Sequence, residues 1–327
     1  MSYAISDAMS NAMSDAISDV HLLRLAQVLQ ASGYVFTTVA PATHARVNAR
    51  PGNVWARSAE DVFGWSRPFR AGVLAPPLFE AMRDAEVLAP HGEGWVARVR
   101  ASTLRGQLFL HSAYPTTAGD AVFFGPDTYR FADAIARHLA GDVRVRRAVD
   151  IGCGAGPGAI VVALERPDAD VMAVDINDRA LRYTAINTRL AGAGRVSAHH
   201  SDLLDKVDGQ FDLIVANPPY LLDAQARTYR HGGGSLGEGL SLAIAQLASA
   251  RLAPGGTLLL YTGTAITHGR DFFRAAVARH LDAAALHWHY QELDPDVFGE
   301  ELAEPAYADA DADRIAAVLL TARKAAA

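Results

Sequence analysis

The spacing of apolar positions along this chain changes near residue 142. From Val20 to about Leu29 they recur at helical spacing, and Pro76 to Leu88 reads as a second helix with proline in its first turn. Trp95-Val96-Ala97-Arg98-Val99-Arg100 and Gly106-Gln107-Leu108-Phe109-Leu110-His111 are extended runs flanking a polar turn. They predict a β-hairpin after the helices, the order of a winged-helix module. Beyond Asp142, Ala148–Ile151, Val171–Val174, Val196–His199, Leu213–Ala216 and Thr257–Tyr261 read as short buried strands separated by helical segments, hence a mostly parallel sheet with helices on both faces. Leu286–Gln291 and Ile315–Leu320 follow with an acidic loop between them, predicting a closing antiparallel pair. The expected fold class is α/β, a seven-stranded Rossmann-like sheet preceded by a smaller winged-helix-like α+β module. The expected boundaries are a tail over 1–19, the module over 20–112, a connector over 113–130 and the sheet domain over 131–327. The tail repeats Ala4-Ile5-Ser6-Asp7 and its variants, a four-residue period that drifts around a helix and keeps no apolar face.

The length of 327 residues accommodates two such domains. No apolar run approaches the roughly 20 residues of a membrane span, and no basic start with an apolar core marks a secretory signal. The single Cys153 excludes an intramolecular disulfide and a multi-cysteine zinc site, which fits a reducing compartment. These features together place the chain in the cytoplasm. A formal net charge of −6 argues against broad nucleic-acid binding. From His21 to Ser112, however, ten Arg stand against six acidic residues. This reads as a solvated arginine-rich surface, with a local anionic contact as its alternative.

The strand ending at Asp150-Ile151 runs into Gly152-Cys153-Gly154-Ala155-Gly156-Pro157-Gly158 and a helix near Ala159. Glycines allow a left-handed turn and close backbone approach to a ligand. Gly154 to Ala159 also matches G-x-G-x-x-A, so the glycines alone do not separate a nicotinamide cofactor from other nucleosides. Asp150 discriminates better, because a carboxylate at the strand tip suits a cationic amino-acid moiety and repels pyrophosphate. Asp175, with Ile176 after it, ends the second strand where a carboxylate accepts ribose hydroxyls. Asp202, followed by Leu203, ends the third where it is placed to accept from an adenine amino group. From about Phe123 to the C-terminus the chain resembles the class I S-adenosylmethionine-dependent methyltransferase family. The resemblance implies S-adenosylmethionine as cofactor, bound at Asp150, Gly152, Cys153, Gly154, Gly156, Asp175, Ile176, Asp202, Leu203 and Asn217.

The fourth strand ends at Asn217-Pro218-Pro219-Tyr220 on the same sheet edge. Two prolines fix the backbone and donate no hydrogen bonds. The Asn217 side-chain oxygen and the Pro218 carbonyl are then free to accept the N–H groups of a planar nitrogen and orient it. Tyr220 is placed to stack on the planar group. The tetrapeptide resembles the N-P-P-Y motif of methyltransferases acting on planar nitrogens, including adenine and release-factor glutamine methyltransferases. Gly125-Pro126-Asp127-Thr128-Tyr129 resembles the R-P-E-T-E segment of the glutamine enzymes, implying that Pro126 and Thr128 lie over the cofactor. Gly232-Gly233-Gly234-Ser235-Leu236-Gly237-Glu238-Gly239-Leu240 is similar to their G-G-x-x-G-L stretch. Gly125 stands where the arginine would be, Tyr129 replaces the second acid, and Leu260-Tyr261-Thr262-Gly263 lacks the family's acidic residue after the fifth strand.

Other features stay structural. Adjacent strand residues His199 and His200 point to opposite faces, so no metal is expected there. His287 and His289, with Trp288 and Tyr290, read as a sheet edge. Cys153 fills a small position in the loop. Asp294-Pro295-Asp296-Val297-Phe298-Gly299-Glu300-Glu301 is an acidic loop at a substrate entrance or in solvent. The expected activity is an S-adenosylmethionine-dependent N-methyltransferase acting on protein glutamine. A small amino-acid-like molecule is the second acceptor and ribosomal RNA the third, no membrane is involved, and a non-catalytic cofactor-sensing binding protein is the reading of another class.

Overall fold

A computed structural model describes residues 18–223 and 227–326. The expected tail over 1–19 lies outside them except for its last two residues, which open a helix over 18–31. The chain divides into two compact units, the first comprising the described residues to Thr117 with Val122–Pro126 and Ala185–Gly194, the second the remainder.

In the first unit, α1 (18–31), α2 (Pro41–Asn48) and α3 (Pro76–Asp84) accompany four short strands. The expected wing, one hairpin of Trp95–Arg100 against Gly106–His111, does not form. The first of those runs splits at Arg98: β2 (Gly94–Ala97) pairs with β1 (Leu88–His91), while β3 (Val99–Leu104) pairs with β4 (Gln107–Ser112). Arg98 is exposed and its N–H donates to the Val87 carbonyl at 2.8 Å, whereas Val99 and Arg100 are both buried. Ala97, Arg98 and Val99 alternate, but Arg100 is buried beside Val99, so strict alternation is lost where the run changes partners. Leu110 meets Asn187, whose side chain accepts from its N–H at 2.8 Å and donates to its carbonyl at 3.0 Å.

The second unit carries the sheet. Seven strands lie in the order β11-β12-β9-β8-β5-β6-β7, with the two-residue β10 (Arg270–Asp271) on β9. β5 (Arg147–Ile151), β6 (Asp170–Asp175), β7 (Val196–His200), β8 (Phe211–Ala216) and β9 (Leu252–Thr267) run parallel, and β12 (Ala312–Arg323) is antiparallel to both β9 and β11 (His287–Asp294). This is the expected α/β class with its closing hairpin. The central strands read as apolar runs because helices cover both faces. Val149, Ile214, Leu258, Leu260 and Val318 are buried in one core with Ile244 and Phe273 of α7 (Gly239–Arg251) and α8 (Phe272–Ala283). β9 exceeds the expected Thr257–Tyr261 because β12 pairs along it as far as Thr267. α4 (Pro126–Leu139), α5 (Pro157–Glu165) and α6 (Asp178–Leu190) complete the helices before β8. On α4, Phe131, Ile135 and Leu139 recur at helical spacing on the buried side.

Candidate active site

Ile151, the last residue of β5, pairs with Val174 of β6 on one side and with Ala216 of β8 on the other. The loops that follow these strands leave from neighbours about 4.8 Å apart at one carboxyl edge. Chain order reverses across β5, with β6 and β7 to one side and β8 to the other. That is the switch point where open parallel sheets form a crevice.

Gly152, Gly154 and Gly156 have φ of 70°, 55° and 86°, in the region that favours glycine. The N–H groups of Gly152 and Cys153 both donate to the Val174 carbonyl, at 2.9 and 3.0 Å, binding the loop to β6. Pro157 then starts α5, its fixed φ suited to a first helical turn. Asp175 holds the loop from the side: one oxygen accepts from the Gly154 N–H at 3.0 Å and the other from the Asn177 N–H at 2.9 Å. Burial raises its pKa against the pull of those N–H groups. Beside it the apolar Ile176 is 50% exposed. Ser201 donates its N–H to the Asp175 carbonyl, so the exposed Asp202 is the next tip along the edge, followed by Leu203 at φ 48°.

Asp150 sits differently from the expectation of direct contact with an amine. It is 1% exposed and one oxygen accepts from the Ala159 N–H at 2.8 Å. The glycine loop closes over it, and a Cβ on Gly158 would lie 2.6 Å from its carboxylate, so residue 158 has room only for hydrogen. Its other oxygen, Oδ1, is buried without a hydrogen-bond partner. Burial pushes this carboxyl up to about 7, with the Ala159 N–H opposing and the Asp175 charge adding to the rise. Because the folded value lies above the ordinary 3.8, the penalty is absent below about pH 4 and complete above about pH 7. Without added cofactor, stability is expected to fall between about pH 4 and pH 7 by up to roughly 4 kcal/mol for this group. Asp150→Asn should flatten that fall, and equal slopes in a pH series of melts would refute the assignment.

These residues fit S-adenosylmethionine. Three carboxylates cluster at the edge with no Lys or Arg between Asp150 and Gly158, one of their oxygens is buried without a partner, and an apolar side chain stands open beside the ribose-type acid. That set suits a cationic nucleoside. Thr128, expected over the cofactor, is 4% exposed on α4, where Pro126 is the first residue. The connector reaches the strand tips instead through Asp120, whose carbonyl accepts from the Asn177 side chain at 2.9 Å and whose carboxylate pairs with Arg179 at 2.9 Å. Cys153 is buried, its Sγ 3.4 Å from Thr184 Oγ1, and burial raises its thiol pKa, so it packs and is not activated as a nucleophile.

Asn217 follows Ala216 directly and is partly exposed, while Pro218 is buried. Tyr220 does not offer the expected stacking face: it is 7% exposed and its hydroxyl donates to Asp127 at 2.5 Å. A Cβ on Gly263 would lie 2.2 Å from the Tyr220 ring, and Phe298 meets the ring edge-on at 6.0 Å. The glycine-rich segment closes on the loop backbone, since Gly232 donates its N–H to the Leu221 carbonyl at 2.8 Å and a Cβ on Gly237 would lie 2.0 Å from the Tyr220 carbonyl. Glu238 braces that segment by accepting from the Leu236 N–H and the Ser235 hydroxyl, both at 2.8 Å. Asp127, Tyr261, Asn177 and Glu238 were not singled out as site residues from sequence. Asp127 and Glu238 lay inside the segments resembling family motifs, and Tyr261 lay where an acid was missing.

His199 and His200 take Ser197 and Asp178 as neighbours, at 3.0 and 2.9 Å, and no group of three metal-ligating side chains occurs among the described residues. No helix among them is long and apolar enough to cross a membrane.

The sheet order, the glycine loop and the acidic strand tips define a methyltransferase domain, and residues 129–267 match the model of the methyltransferase small domain. Among curated relatives, the ribosomal protein uL3 glutamine methyltransferase of Neisseria gonorrhoeae is 34% identical over 44% of this chain and 50% of its own length. The release factor glutamine methyltransferase of the same organism is 37% identical over 42% of this chain and 54% of its own length. That of Deinococcus radiodurans is 30% identical over 55% of this chain and 70% of its own length. The chain belongs to the glutamine methyltransferase family. It spans about half the length of the first curated relatives it matches.

Proposed function

We propose that this chain transfers the methyl group of S-adenosylmethionine to the side-chain amide nitrogen of a protein glutamine. The observation that carries the reading is that Asn217-Pro218-Pro219-Tyr220 directly follows β8, whose last residue Ala216 pairs in register with Ile151 at the end of the strand that feeds the glycine loop. S-adenosylmethionine supplies an electrophilic methyl group when bound. The chain's own part is to hold the acceptor. The Asn217 side-chain oxygen and the Pro218 carbonyl accept the two amide N–H groups, and this holds the nitrogen in one orientation. Accepting those hydrogens also stabilises the positive charge that develops on the nitrogen as its bond to the methyl carbon forms and the sulfur–methyl bond breaks, with S-adenosylhomocysteine as the leaving group; the nitrogen then loses one proton to solvent. Asp175 and Asp202 carry the ribose and adenine contacts, and Ile176 gives the nucleoside an apolar wall. Relatives named for release factor and ribosomal protein uL3 support a protein acceptor in the cytoplasm, where such acceptors are made.

The test offers methyl-labelled cofactor to purified release factors, ribosomal protein uL3, total RNA and a metabolite extract. Label is expected in protein, recovered as N5-methylglutamine after digestion. Label confined to RNA or metabolites would overturn the acceptor, and no transfer to any fraction would overturn the activity.

A further inference from the structure

Three elements meet at one buried carboxylate, and a fourth is joined to it through an arginine. Asp127 is 4% exposed on the first turn of α4. Its Oδ2 accepts from the Tyr220 hydroxyl at 2.5 Å, and its Oδ1 from the Tyr261 hydroxyl of β9 at 2.7 Å and from Arg130 Nη1 at 3.2 Å. Arg130 in turn donates through Nη2 to Asp294 at 2.5 Å, at the end of β11 where the acidic loop begins. Both tyrosines are buried and Arg130 is about one-third exposed, so the network has an inner, dry half and an outer, wet half.

We propose that Asp127 is a positioning residue that locks the Asn217–Tyr220 loop through Tyr220, and that Arg130 ties this lock to the acidic loop at Asp294. The inference rests on the proposed reaction for its activity arm only. Two consecutive prolines stiffen the loop internally; β8 fixes the Asn217 end, and the hydrogen bond from Tyr220 to Asp127 ties the far end to α4. A carboxylate can accept from two hydroxyls and a guanidinium at once. An amide in its place cannot, because its nitrogen only donates. The charged and titratable groups facing Asp127 are Tyr220, Tyr261 and Arg130, with Asp294 behind Arg130. Burial raises the carboxyl's pKa against all three donors. Protonation of Asp127 removes an acceptor and loosens the lock on the acid side.

The test compares wild type, Asp127→Asn, Tyr220→Phe and the double variant. First, hydrogen exchange of the peptide spanning 216–222 is measured without substrate. Asp127→Asn is expected to speed its exchange at least tenfold, with the rest of the sheet unchanged. Second, in methyl transfer, each single variant is expected to lower kcat about tenfold with the KM for cofactor unchanged, and the double variant to be no worse than either. The acid limb of the wild-type pH profile of kcat should vanish in Asp127→Asn. Unchanged exchange in the loop peptide, additive losses, or a retained acid limb would each overturn the proposal. Absence of transfer by wild type would overturn the proposed reaction alone, leaving the exchange result to decide the lock.

Discussion

Asn217→Ala is expected to lower methyl transfer by about 10²–10³-fold, the effect of removing one preorganised acceptor or donor at the reacting group. Cofactor affinity should fall far less than the rate, because most of the expected cofactor contacts lie on the glycine loop, Asp175 and Asp202. Asn217 is partly exposed at the end of β8, where the buried Leu213–Ala216 run anchors its backbone, so truncating it removes a side-chain oxygen without opening a core cavity. The ordered parts of the loop, Pro218 and the Tyr220–Asp127 hydrogen bond, stay in place. Titration calorimetry with the cofactor and initial rates with a glutamine-bearing acceptor separate the two effects. A variant with wild-type rates would remove Asn217 from the chemistry. It would return the non-catalytic cofactor-sensing reading, which needs no acceptor geometry at this position. A loss of cofactor binding as large as the loss of rate would instead mean that Asn217 contributes mainly to the nucleoside site.

Much of this site was legible in the sequence because strand tips are short-range features. Asp150, Asp175, Asp202 and Asn217 each end a β-run, and parallel strands put such residues on one edge without any knowledge of packing. Which way each side chain then turns was not legible. Asp150 and Asp175 look equivalent as acids after a β-run, yet one lies under the glycine loop at 1% exposure while the other is only partly buried, next to the exposed Ile176. Only the close approach of Gly158 to the carboxylate explains the difference. Tyr220 shows the same limit. Its place in the motif suggested a stacking face, but its partner Asp127 is 93 residues earlier in the chain and Tyr261, which shares that partner, is 134 residues from it. Contacts of that range leave no trace in local periodicity. The N-terminal unit was misread for a simpler reason: at Arg98 a continuous run of strand-like residues divides between two hairpins, and composition does not mark where a strand changes partners.

Asp175→Ala should weaken cofactor binding by roughly 10²-fold, from the loss of charge-assisted hydrogen bonds each contributing about 1.5–3 kcal/mol. Two effects combine. In the proposed reading the carboxylate accepts from the ribose hydroxyls, and it also holds the Gly154 and Asn177 N–H groups, so its removal frees the glycine loop on the side facing β6. Asp175→Asn separates them, since an amide oxygen can still accept from one of those N–H groups but brings no charge. An intermediate loss is therefore expected for it. The neighbouring charge supplies an independent check. Asp175 contributes to the raised pKa of Asp150, so neutralising it should move the Asp150 titration down and shift the pH-dependent loss of stability to lower pH. Calorimetry across a pH series reads both quantities on the same samples. Full affinity in Asp175→Ala would place the ribose elsewhere on the edge. An unmoved stability profile would mean that the two carboxylates do not sense one another and that burial alone raises Asp150.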